Sequence, residues 1–205
     1  LKVLYQNLKE KLMINIYGNG GHANVVKSVL WKQNQLLITF WNDDSYEKEV
    51  GDFDPYNNNI KGYWLIAIGN NKSRKRIAEL LGNDCYLTVI DDSVVMDNSV
   101  HPGEGSQILH GSVIQTGTNI GKHCIINTAA SIDHDCILGD FSFIGPNATL
   151  CGGVEIGEGT FIGAGAVVLP YIKIGKNCMI GAGSVVTKNL PDGITAYGNP
   201  VKIKL

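Results

Sequence analysis

From Ile108 onward every sixth residue is Ile, Leu or Val: Ile108, Ile114, Ile120 and so on, through Leu138 and Leu150 to Val186, fourteen in succession. The residue after the aliphatic is often glycine (Gly121, Gly139, Gly145, Gly157, Gly163, Gly175, Gly181). The fifth is usually small, as at Ser112, Cys124, Ala130, Cys136, Ala148, Thr160, Ala166, Cys178 and Ser184. Ile90 and Met96 extend the register backward, and Pro102 breaks it. A period of six fits neither the 3.6-residue turn of a helix nor the two-residue alternation of a simple sheet. It fits short strands separated by sharp turns, repeated many times.

The first half has a different rhythm. A short apolar strand, Ile14 to Tyr17, runs through a glycine turn, "GNGG", into an amphipathic helix. A second strand, "LLITFW", ends at "NDD", and a third, "YWLIAIG", ends at "NN". The segment between them, "DSYEKEVGDFDPYNNNIKG", is polar and reads as a loop. A helix through "KSRKRIAELL" and a fourth strand, "CYLTVI", complete a small parallel sheet, whose ligands should gather beyond the carboxyl ends of its strands. The expected division is an N-terminal extension over 1–12, an α/β domain over 13–88 and a repeat domain with a C-terminal cap over 89–205.

Composition narrows the function. Lys and Arg total 17 against 19 Asp and Glu, and no basic run exceeds "KSRKR", so neither nucleic acid nor an anionic membrane is an expected partner. No segment has the apolar length that crosses a bilayer, and the N-terminus lacks a secretory layout, so the expected compartment is cytoplasmic. Five cysteines without metal-type spacing suit a reducing environment, and no metal is expected. "GNGGH" is a partial dinucleotide fingerprint: Gly18 and Gly20 match, whereas the third glycine is missing near Val25. A plain structural turn and a phosphate-cradling turn both remain open on these letters.

The hexapeptide repeat resembles the left-handed parallel β-helix of sugar and serine acetyltransferases. With "IYGNGGHANVV", "FWNDD", "IAIGNNKSRKRI", "INTAASIDHDCILGD" and the closing "AYGNPVKI", the chain from Met13 to its end resembles the bacterial acetyltransferases that N-acetylate nucleotide-linked amino sugars. Bacillosamine, perosamine and viosamine pathway enzymes form that group, together with sialic acid O-acetyltransferases. The resemblance implies a left-handed parallel β-helix preceded by a small α/β Rossmann-like domain, with three hexapeptides per triangular coil. It also implies a nucleotide-linked amino sugar on the N-terminal domain, acetyl-CoA on the β-helix, and a homotrimer whose active sites lie between subunits. Carried over by position, Gly20, Gly21, His22, Asp43, Asp44 and Gly69 would meet the nucleotide-sugar. His134 would be the base, with Asp135 where the family has Glu, and with Asn127 nearby. Phe143, where many members have His, would join Gly152, Ala164 and Ala182 along the coenzyme.

Coils of eighteen residues make His134 a distinctive position. It is the third residue of its hexapeptide, so it points outward or sits at a corner, as does His110. Eighteen residues on from His134 and Asp135 stand Gly152 and Gly153, whereas His110 meets Thr128. Glycine leaves room for a thioester, and the Gly152 N–H could stabilise the oxygen that becomes charged during attack. An imidazole suits removal of a proton from an amine near neutral pH, and a neighbouring carboxylate can fix its tautomer. Whether Asp133 or Asp135 does so stays open in the sequence. Cys151 reads as a packing residue, because direct transfer needs no acyl-accepting thiol. The expected activity is acetyl-CoA-dependent N-acetylation of a UDP- or dTDP-linked 4-amino-4,6-dideoxyhexose in glycan or O-antigen synthesis; the alternative is O-acetylation of a sialic acid or another sugar.

Overall fold

The computed structural model describes residues 12–31, 36–41, 62–82 and 85–204. Most of the expected N-terminal extension and of the polar loop after the second strand falls outside them. Strand β1 (Leu12–Tyr17) is central in a three-stranded parallel sheet, between β2 (Leu36–Trp41) and β3 (Tyr63–Ile66). Both faces of β1 are buried, which is why its letters do not alternate in polarity. Ile14 and Ile16 pack with Ala23, Val26, Val29 and Leu30 of helix α1 (Gly21–Leu30). Tyr17, Trp64 and Ile66 pack instead with Ile77, Ala78 and Leu81 of helix α2 (Asn71–Leu81). The two helices therefore take opposite faces of the sheet, the arrangement that parallel crossovers impose. Helix α2 is capped at both ends: Asn70 Oδ1 accepts from the Ser73 N–H at 3.0 Å, and Gly82 closes the C-terminus at φ 73°.

The expected fourth strand, "CYLTVI", does not join the three-stranded sheet as a strand. Tyr86 makes an isolated parallel bridge to Trp64, held by the Trp64 N–H to the Cys85 carbonyl and the Leu87 N–H to the Trp64 carbonyl, both 2.8 Å. Two residues later the chain has left that sheet, and β4 (Val89–Ile90) pairs with Gln107–Ile108. Only Val89–Ile90 of the expected strand is one, and it begins the repeat instead of completing the α/β sheet.

That repeat is a parallel β-helix whose strands stack eighteen residues apart, as in Ser131 opposite Thr149 and Ile132 opposite Leu150. Three faces result. The first carries Val89–Ile90, Gln107–Ile108, Ile125–Ile126, Phe143–Ile144, Phe161–Ile162 and Met179–Ile180. The second carries Val95–Met96, Val113–Ile114, Ser131–Ile132, Thr149–Leu150, Val167–Val168 and Val185–Val186, and the third runs from Asn119–Ile120 to Lys173–Ile174. All fourteen aliphatics of the six-residue series are buried in one continuous core, joined there by Cys124, Ala130, Cys136, Ala148, Ala166 and Cys178. Each such aliphatic gains about 1.5–3 kcal/mol by leaving water. From Gln107–Ile108 to Met179–Ile180 the corner after each strand places one residue in the left-handed region, including His123, Asp135, Phe141 and Tyr171 at φ 53–61°. The last coil is shorter: Met179 pairs with Thr195, and Lys202–Ile203 folds back antiparallel on Thr195–Tyr197. No described helix is long and apolar enough to cross a membrane.

The two parts are locked together by Arg74, which is fully buried although it lies within a run that reads as surface charge. Its Nε donates to the His123 carbonyl at 2.8 Å and its Nη2 to the Phe141 carbonyl at 2.8 Å. Nη1 donates to the Ile68 carbonyl at 2.9 Å and the Gly69 carbonyl at 3.3 Å. Burial lowers the guanidinium pKa to about 10, still far above neutrality, so the cation persists on carbonyl acceptors. Beside it His123 stacks on Phe141 at 4.9 Å and meets the edge of Tyr86 at 4.5 Å. Burial and the neighbouring Arg74 hold that imidazole down to about 4, so it packs as a neutral ring.

Candidate active site

His134 stands at the corner between the second and third faces, in the turn after Ser131–Ile132. Its side chain is about half exposed, 47 %, so it is available to a ligand. Asp135, next in the chain, is in the left-handed conformation at φ 58°, one that Asp tolerates better than most residues. Nδ1 of His134 lies 2.9 Å from Oδ2 of Asp135. Asp133 has a different task, because its Oδ1 accepts the His134 backbone N–H at 2.8 Å. The two aspartates therefore divide the work: Asp135 engages the ring and Asp133 fixes the turn. The hydrogen bond to Asp135, followed by the charge of Asp133, raises the His134 pKa above its ordinary 6.5.

With Nδ1 donating to the carboxylate, Nε2 of the neutral ring carries the free lone pair. It lies under Gly152, where a β-carbon would fall 2.5 Å from Nε2 and 2.7 Å from Cε1. Only a residue without a side chain leaves that space for the ring. The carboxylate of Asp135 uses a second such space, because a β-carbon on Gly117, one coil below, would collide with its Oδ1. Gly153 in turn makes room for the Tyr171 ring, whose Cδ1 would be 2.6 Å from an added β-carbon. Among the described residues no acceptor takes the Gly152 N–H. An imidazole with an open Nε2, the carboxylate that orients it and a spare backbone donor thus meet at one corner.

Other expected residues lie elsewhere on the chain. Asn127 is at the preceding corner, and its Oδ1 accepts the Thr128 N–H at 2.8 Å; its hydrogen bonds do not reach His134. Ala164 and Ala182, exposed and eighteen residues apart, belong to that same corner between the first and second faces. Phe143 is on the first face, 8 % exposed and stacked on Phe161 at 4.6 Å. His110 differs from His134 in being tied to the buried Asp91, at 3.1 Å. Burial raises the Cys151 thiol pKa, which disfavours the nucleophilic thiolate.

A second cluster forms at the carboxyl ends of β1 and β3. Gly18, at φ 126°, passes so near the Ala67 carbonyl that a β-carbon would be 2.7 Å from its oxygen. Gly20 and Gly21 follow with open space around them, at the start of α1. His22 stands in the first turn, and a β-carbon on Gly69 would lie 3.9 Å from its own. Backbone N–H groups at such a helix start suit an anionic ligand. Gly20, Gly21, His22 and Gly69 are therefore brought together, while Asp43 and Asp44 lie outside the described residues. Sequence reasoning missed Gln107, whose Oε1 is 2.7 Å from Nε2 of His22. It also missed Arg74, although that residue shares the spacing of Ile77, Ala78 and Leu81 on α2.

Two family models match the chain. One is the PglD N-terminal domain, over residues 13–81, and the other is the bacterial transferase hexapeptide of six repeats, over 135–170 and 153–188. The chain is 31% identical over 160 residues to GDP-perosamine N-acetyltransferase of Escherichia coli, covering 70% of this chain and 72% of that one. It is 37% identical over 109 residues to UDP-N-acetylbacillosamine N-acetyltransferase of Bacillus subtilis, 47% of this chain and 50% of the other. Its fold is similar to a crystal structure of a variant perosamine N-acetyltransferase from Caulobacter crescentus in complex with CoA and GDP-perosamine. The TM-score there is 0.86 at 34% identity, with 93% of this chain and 96% of the other covered.

Proposed function

The chain belongs to the hexapeptide-repeat acetyltransferases, and from that premise we propose that it moves the acetyl group of acetyl-CoA onto the amine of a nucleotide-linked 4-amino-4,6-dideoxyhexose. The observation that carries this reading is the free Nε2 of His134 lying against Gly152. The α/β domain, over 13–88, holds the nucleotide-sugar at Gly20, Gly21, His22 and Gly69, with Asp43 and Asp44 near the base. The β-helix, over 89–205, holds the coenzyme along Phe143, Gly152, Ala164 and Ala182. Small residues at the corner carrying Ala164 and Ala182 suit a slot for an extended coenzyme arm.

Acetyl-CoA supplies an activated acyl thioester. His134 Nε2 takes the proton from the attacking amine, and Asp135 supports the imidazolium that forms. The Gly152 N–H meets the carbonyl oxygen as negative charge develops on it. The new C–N bond replaces the C–S bond, and the proton on His134 passes to the departing thiolate.

One chain holds these groups at two corners, so the reading includes a homotrimer whose active sites lie between subunits. The face between those corners supports it. The outward residues there are Val95, Val113, Ser131, Thr149, Val167 and Val185, all uncharged, whereas Glu155 and Lys173 occupy the equivalent places on the third face. In a trimer, Asn127 of one subunit then approaches His134 of the next.

The carrier read from the sequence is UDP or dTDP, and the relatives named for GDP- and UDP-linked sugars add GDP to the test. Acetyl transfer assayed against GDP-, UDP- and dTDP-linked amino sugars should give turnover with at least one. Turnover with free sialic acid alone, or with none of the panel, overturns the proposal. Sedimentation analysis should find three chains per particle.

A further inference from the structure

Gln107 occupies an outward position on the first face of the β-helix, yet it is fully buried because the α/β domain sits over it. Its Nε2 donates to the Ile66 carbonyl at 3.0 Å. A carbonyl oxygen can only accept, so this contact fixes which end of the amide is which. The other end, Oε1, faces Nε2 of His22 at 2.7 Å. An amide oxygen also can only accept, so the hydrogen of that bond must belong to the imidazole.

A neutral imidazole carries one N–H. With it committed to Gln107, Nδ1 is a bare lone pair, and among the described residues nothing bonds to it. Burial lowers the His22 pKa below 6.5; the Gln107 hydrogen bond opposes this, and the charge of Arg74 on α2 adds to it. The ring is therefore neutral near pH 7.

We infer that Gln107 is a positioning residue that locks His22 as the Nε2–H tautomer, so that this edge of the sheet offers a hydrogen-bond acceptor at Nδ1. This inference rests on the reading that the same edge takes the nucleotide-sugar. The group it recognises is a donor, a sugar hydroxyl or an N–H. A phosphate oxygen, which only accepts, would face lone pair against lone pair unless the ring first took up a proton. The glycine amides of α1 remain for the phosphates. Because Gln107 comes from the β-helix and His22 from the α/β domain, the choice of substrate group depends on how the two parts are docked.

Nitrogen-15 NMR of the ligand-free full chain labelled at histidine reads the tautomer without any substrate. The expected result is a protonated Nε2 and an unprotonated Nδ1 on His22, with the preference lost in Gln107→Met. Calorimetry of nucleotide-sugar binding in two buffers of different ionisation heat should then show no proton uptake near pH 7.5. Gln107→Glu keeps the shape and an acceptor for Nε2 but favours the imidazolium, so its binding should become dependent on pH. For Gln107→Met, KM for the nucleotide-sugar should rise roughly tenfold with kcat little changed, as for one lost hydrogen bond. Protonated Nδ1 in the free protein, or proton uptake by His22 on binding, overturns the inference. Failure of every nucleotide-sugar to bind would instead strike the functional reading, with the tautomer already decided.

Discussion

A β-carbon added to Gly152 would come within 2.5 Å of Nε2 of His134, so the space above the imidazole exists only because residue 152 has no side chain. Gly152 is not in the left-handed region, so alanine is acceptable to its backbone and the obstacle is the ring alone. Gly152→Ala should therefore fold, displace His134 and reduce kcat/KM by about 10²-fold or more. Adding His134→Ala should recover stability lost to the clash without recovering turnover, as measured by thermal unfolding beside the transfer assay.

His134→Ala alone removes the proposed base. The expected loss in kcat is ~10²- to 10⁴-fold, with nucleotide-sugar affinity almost unaltered, because the proposed sugar-nucleotide contacts belong to the other domain. Steady-state kinetics combined with binding calorimetry separates the two.

The pH profile follows from the direction of the His134 shift. A base works when unprotonated, so activity falls as pH drops through its pKa. Since Asp135 and Asp133 raise that pKa, the acidic limb of kcat/KM should lie above 6.5. Asp135→Asn removes the carboxylate hydrogen bond that does most to raise it and should move the limb to lower pH, besides lowering the plateau. A limb that stays in place in this variant would assign the titration to another group.

Arg74→Met leaves the His123, Phe141 and Ile68 carbonyls without their donor. At ~1–3 kcal/mol for each buried acceptor left unpaired, the loss should reach about 3 kcal/mol or more. Arg74→Lys should recover only part, since an ammonium cannot reproduce the guanidinium fork. Denaturant unfolding followed at Trp64, next to the docking surface, gives the comparison.

The repeat was legible because a solenoid writes its core at fixed intervals. Ile132, Cys136 and Leu138 could be placed inward by counting, and the pairing of His134 with Gly152 follows from adding eighteen once the family resemblance sets three hexapeptides to a coil. Counting also has a limit: it orders residues within the helix and is silent about what covers its outside. Gln107 and Phe143 share an outward register with the exposed Met179, yet the first two are buried. Arg74 was hidden by its neighbours Lys72, Lys75 and Arg76, which present it as one of a charged run although its helical phase is that of Ile77 and Leu81. The fourth strand reads as a single element because all its letters but Thr88 are apolar or aromatic, and letters do not tell where along such a run pairing begins. Asp133 and Asp135 were equivalent in the sequence; left-handed geometry at Asp135 is what turns one of them to the ring.

The short final coil governs whether molecules grow end to end. A parallel solenoid finishes with an unsatisfied strand edge, a template on which the first coil of another copy could continue the stack into a fibre. Here Lys202–Ile203 covers the end of the first face with a strand of reversed direction. An incoming coil would meet there a strand running against its own direction, so the parallel stack of the first face has no like-directed edge on which to continue.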